Sequence, residues 1–154
     1  MRLRLIIVVA SLGCPAWSAA ASATLPAVLT QETHHPFVVR PASIGYTGDG
    51  TGILGGADGS SARHPGHLHW TTYTSRQGLA TGVNWLNDCD PSCAEGEFHP
   101  APVTVHVFAP QHGHFTRLTL QFTYNGEHIT DRRGIRHFGS GSFSYWAYYI
   151  ISTT

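Results

Sequence analysis

Beyond residue 23 no stretch joins helical spacing of apolar residues to strong helix formers, whereas several short runs alternate apolar and polar positions, the period of a half-buried strand. Val103, Val105 and Val107 alternate with Thr104, His106 and Phe108 between Pro102 and Pro110, which predicts a strand with valine on one face. Leu118, Leu120, Phe122 and Tyr124 alternate with Arg117, Thr119, Gln121 and Thr123 and predict a second. Asn125-Gly126 follows at once, the pair favoured where both central turn residues need positive φ, so 127–130 is the expected returning strand.

Further strands are expected over 68–73 and 79–86, and less distinctly over 37–40 and 44–46. From 143 to 151 the chain is apolar on both faces apart from Ser144, as in a strand covered by two layers, which places it through the middle of the core. The glycine-rich stretch 48–59 reads as a surface loop, and residues 24–34 as a poorly tied, flexible arm before a single β-domain over 35–154. Six or seven short strands separated by turn residues predict an all-β fold, either an antiparallel β-sandwich or a small closed barrel.

Composition narrows the function. The chain has 154 residues, enough for one core; charged residues are 12% and hydrophobic ones 42%, which excludes a disordered charged tail. All nine basic residues are Arg and the formal net charge is zero, so no cationic footprint for nucleic acid exists. Arg2 and Arg4, the apolar run 5–12 and the small residues Ala21-Ser22-Ala23 together read as a signal peptide over 1–23, cleaved after Ala23. The run is too short to span a bilayer, so the mature chain is expected to be secreted, extracellular or envelope-associated, without an integral membrane segment. Cys14 offers a lipoprotein signal as the rival, but Ser11 stands where such signals usually carry Leu.

Cleavage leaves two cysteines, Cys89 and Cys93, around the turn-forming Asp90-Pro91-Ser92. In an oxidising compartment this reads as a disulfide that pins one turn, with Cα atoms within about 4.4–6.8 Å; the spacing does not match a thioredoxin-like redox pair. Trp70, Ala80-Thr81-Gly82, the Cys turn through Ala94-Glu95-Gly96 and the strand of Val103 to Val107 resemble a group of small secreted actinobacterial proteins of uncharacterised function, as does Gly48-Asp49-Gly50. The resemblance covers about half of the mature chain and implies compartment and disulfide, with no established activity.

Eleven histidines raise the question of metal. His67 and His69, two apart on one strand, put both rings on one face; with His64, or with His112 and His114, they form a candidate zinc or copper site. The same pattern also describes the exposed side of an amphipathic strand. Glu95, Glu97 and His99 are candidates for acid/base work, but equally for solvated positions around the Cys turn. Gly139-Ser140-Gly141-Ser142 lacks the setting of a hydrolase nucleophile and reads as a turn. Trp70, Trp85, Trp146, Tyr73, Tyr145, Tyr148 and Tyr149 are mostly core, with an outward aromatic face for a sugar or a partner as the alternative.

The leading expectation is a secreted, non-enzymatic β-domain without a cofactor that binds a protein, glycan or envelope partner. A His-rich metal-binding protein or metalloenzyme and a small secreted hydrolase are the alternatives.

Overall fold

Asn125 and Gly126 both adopt positive φ, 51° and 82°, and join two strands whose residues pair across them from Tyr124↔Glu127 onward. That hairpin is the middle of an antiparallel meander. The structure, a computed structural model, describes residues 24–30, 37–56, 64–138 and 143–148. The strands in chain order are β1 (Val28–Leu29), β2 (Phe37–Val38), β3 (Ile44–Gly45), β4 (Gly52–Leu54), β5 (His69–Tyr73), β6 (Gln77–Asn87), β7 (Phe98–Gln111), β8 (His114–Tyr124), β9 (Glu127–Phe138) and β10 (Phe143–Tyr148).

β3 to β10 form one sheet in the order β10-β9-β8-β7-β6-β4-β3; β5 also pairs with β6. β6 is long enough to hold two partners on one side, β5 at Gly78 to Thr81 and β4 at Asn84 to Leu86. The sheet curls into a half-barrel, with β1 and β2 as a separate small sheet. The fold is thus all-β and antiparallel, and its curl is that of a barrel left open on one side.

The valine alternation faces inward as expected. Val105, Val107, Leu118 and Leu120 are fully buried, each contributing about 1.5–3 kcal/mol over an exposed position. β7 runs beyond the prolines expected to bound it. Pro100 and Pro102 pair only with β6, because β8 begins to pair at Val103, and Pro110 pairs only with β8, because β6 stops at Phe108. A residue without an N–H is tolerated where its strand has one neighbour.

Three further expectations differ from the structure. β10 is the edge of the sheet, not its middle; on its inner side Ser144 and Trp146 are buried, and Trp146 reaches across to donate from Nε1 to the Leu29 carbonyl at 3.0 Å. Inside the glycine-rich stretch lies β4, with Leu54 buried. Glycine belongs there because a Cβ at Gly52 would come within 2.7 Å of the Tyr46 ring. Thirdly, the described part of the supposed arm, 24–30, is tied into the core. Ala27 donates to the Gly113 carbonyl and accepts from Phe115 N, Tyr73 Oη donates to the Pro26 carbonyl, and Val28 and Leu29 are fully buried. The leader, Cys14, Tyr149 and the Gly139-to-Ser142 turn lie outside the described residues.

Because Leu29 is buried on the open side of the half-barrel and Val39, ten residues later, is exposed, Leu29→Ala is expected to cost about 2–5 kcal/mol and Val39→Ala less than about 0.5 kcal/mol. Urea denaturation of the two variants checks this; equal, small losses would show that the segment is not part of the core.

Candidate functional site

The meander places three turns at one end of the half-barrel: residues 46–51 between β3 and β4, the Cys turn between β6 and β7, and Asn125-Gly126. The Cys turn is built by its own side chains. Cys89 and Cys93 form the expected disulfide, with Cα atoms 3.7 Å apart, closer than the expected window because the loop doubles back with Cys89 at φ 58°. Asn87 brackets it: Oδ1 accepts from Cys89 N at 2.7 Å and Nδ2 donates to the Cys93 carbonyl at 3.0 Å. Gly96 permits this approach, since a Cβ there would collide with Asn87 Oδ1. Asp88 gathers the other strand, accepting at Oδ1 from Asp90 N and Glu97 N and at Oδ2 from His99 Nε2 at 2.9 Å. These bonds, that to His99 foremost, hold the Asp88 carboxyl below its ordinary range.

Beside this turn opens a cleft of about 620 Å³ whose lining includes Tyr46, Leu86, Phe122, Tyr124, Arg133 and Tyr148. A second depression of about 540 Å³ adjoins it, lined by Asp88, His99, Pro100, Thr123, Tyr124 and Asn125. Asp88, Tyr124 and Asn125 border both. Arg133 and Asp131 lie at inward positions of β9 and are almost wholly buried. Arg133 Nε donates to both Asp131 oxygens, at 3.2 and 3.0 Å, and Nη1 donates to the Tyr46 carbonyl at 2.7 Å. Its guanidinium is also sandwiched between rings, 4.7 Å from the Tyr46 centroid and 4.0 Å from that of Tyr148. Burial raises the Asp131 carboxyl despite the attraction of Arg133. Burial likewise pushes the Tyr46 hydroxyl up to about 12; it donates to Asn84 Oδ1 at 3.0 Å, and Asn84 Nδ2, also buried, has no partner among the described residues.

The histidines singled out for metal are spread over the molecule. His67 and His69 are exposed, and His69 stands in the row Thr81, Thr104, Gln121. His114 pairs with Gln111, seven residues further along β7 than Thr104, on the order of 23 Å at about 3.3 Å per residue. His112 is in the turn beside it at φ 50°, and the His114 ring packs on Phe37. His64 packs against Trp85 and Phe98. Among the described residues no three His, Cys, Asp or Glu side chains gather as a metal shell.

Of the acid/base candidates, His99 pairs with Asp88, while Glu95 accepts from Ser92 Oγ; among the described residues no hydroxyl or thiol bonds to His99. Of the aromatic residues, Trp146 is core, Trp70 and Trp85 donate to the Pro41 and Pro65 carbonyls, and Tyr148 is 71% exposed at the cleft mouth. Sequence reasoning missed Tyr46, Asp131 and Arg133. The signal was the hairpin register, which carries the inward parity of Leu118 and Leu120 across to Arg133 and Asp131. No family model, no curated protein and no solved structure matches this chain.

Two predictions follow from the Cys turn. Reducing its disulfide is expected to lower stability by only about 2 kcal/mol, the loop-entropy scale for so short a ring; unfolding at room temperature on adding reductant would contradict this. A carboxyl lowered by folding contributes stability that is complete above its unfolded pKa of about 3.9 and is lost as pH falls through the folded value. The stability gap between wild type and Asp88→Asn is therefore expected to narrow from pH 7 to pH 3. Asp131, shifted the opposite way, loses stabilisation as pH rises through its own window, but it is common to both proteins and cancels; a gap that does not change with pH refutes the role given to Asp88.

Proposed function

We propose that this protein is an exported binding domain whose ligand enters the cleft beside the Cys89–Cys93 turn. The carrying observation is the cleft itself: about 620 Å³, lined by the apolar Leu86, Phe122 and Ile129 together with several polar groups. Binding sites for small molecules have this size and this make-up. Export is supported by the leader-like pattern of residues 1–23, by the disulfide and by the resemblance of the Cys turn to small secreted proteins. Among the described residues no helix is long and apolar enough to cross a membrane.

The buried Arg133–Asp131 pair suits binding more than turnover. Arg133 is held by a carboxylate, a carbonyl and two rings, so it shapes the floor of the cleft with its charge already matched. In this reading Tyr148 forms one jaw and the Asn125-Gly126 hairpin the other.

Screening the 15N-labelled protein against a small-molecule fragment library tests this. Shifts are expected to cluster at the amides of Tyr46, Asn125 and Tyr148, and to disappear in Leu86→Trp, which fills the cleft. Perturbations confined to the opposite end, around Arg76 and Gly113, would refute the cleft as the site.

A further inference from the structure

Resting on the reading of the cleft as a binding site, we infer that its ligand is a neutral oligosaccharide of at least two sugar units, lying across the Tyr124–Asn125 ridge with one unit in each compartment. Three observations select this class. The first is charge: Arg133 is matched by Asp131, and the Asp88 carboxylate is held by hydrogen bonds from His99 and two backbone N–H groups, so the described lining offers no unmatched arginine to an acidic ligand. The second is the surface presented. Tyr148 offers an exposed ring at the mouth, and Thr51, Asn125 and Thr130 line the wall. Aromatic faces receive the C–H faces of a sugar ring, and hydroxyl and amide groups, able to donate and to accept, match sugar hydroxyls that do both.

The third is shape. Two depressions of about 620 and 540 Å³ share Asp88, Tyr124 and Asn125 as their common border, an arrangement that suits a ligand made of repeating units. An extended peptide is the other such polymer, but peptides dock on sheets by adding a strand to a free ladder of N–H and C=O groups. At the second compartment the stretch of β7 that lacks β8 as a neighbour carries Pro100 and Pro102, which have no N–H to give, and a blocked peptide is carried as the competing probe.

Calorimetric titration with soluble neutral tetrasaccharides of glucose, N-acetylglucosamine, mannose, galactose and arabinose, beside tetragalacturonate and a blocked tetrapeptide, decides the matter. At least one neutral tetrasaccharide is expected to bind. Tyr148→Ala, at an exposed position, is expected to weaken the tetrasaccharide and its monosaccharide 10-fold or more, whereas Thr123→Trp, which fills the second compartment, weakens the tetrasaccharide 10-fold and leaves the monosaccharide within about 2-fold. Unchanged thermal midpoints establish that both variants are folded. Binding of the peptide or the acidic sugar alone, lost in Tyr148→Ala, overturns the neutral saccharide and leaves the cleft as a site. Failure of every probe at millimolar concentration overturns the saccharide, while the fragment screen independently decides the fate of the cleft. Saccharide binding that both variants leave unchanged overturns the assignment to these two compartments.

Discussion

A sheet curled into half a barrel keeps water from its inner face only if something closes the open side. Here β1 does so with two residues, Val28 and Leu29, both fully buried although adjacent in sequence. Neighbouring strand residues point to opposite faces, so both can be buried only where the strand has cover on each side. The segment is fastened from several directions: Gly113 and Phe115 hold Ala27, Tyr73 holds the Pro26 carbonyl, Trp146 holds that of Leu29 and Gly45 that of Thr30. Each bond satisfies a backbone group that the core would otherwise leave dry and unpaired.

The Cys-turn end is closed differently. β1 enters beside the β7–β8 turn, where Ala27 meets His114, and the inner face at the opposite end is plugged by Arg133 between Tyr46 and Tyr148. A buried ion pair gives little net stability, because desolvation offsets the attraction. Its consequence is a floor that is fixed in place by directed bonds and stays polar. An aliphatic plug would have extended the core to the rim. The arginine leaves a cleft of mixed character instead, and makes Tyr148 a ring supported on one face and open on the other.

Much of the fold was legible because alternation and turn chemistry report local preferences. The two strands flanking Asn125-Gly126 and the disulfide needed only neighbouring residues to be read. The edge position of β10 was not legible: an apolar strand looks alike whether another strand or a single indole covers it, and the contact from Trp146 to Leu29 spans 117 residues. β4 was hidden by glycines whose purpose, room for the Tyr46 ring, exists only in the assembled fold. The histidines were legible only in part: exposure of His67 and His69 is one of the two readings their pattern offered, but two imidazoles on one strand face say nothing about where a third and fourth stand.

The cleft residues were within reach of the same local logic carried further. Two-residue hairpins fix the register of their strands, so an inward Leu120 and Leu118 require an inward Asp131 and Arg133 once the returning strand extends past Thr130. Ending the strand at Thr130 hid them, since polar residues discourage a buried assignment. Yet opposite charges two apart on one strand face are what an inner surface can accept, since each relieves the other. The meander then converts that choice into a site. Alternate turns of an up-and-down sheet return to the same end, so the Cys turn, the Asn125-Gly126 hairpin and the mouth of the half-barrel converge there by topology alone, and the disulfide holds Asp88 on the ridge between the two compartments.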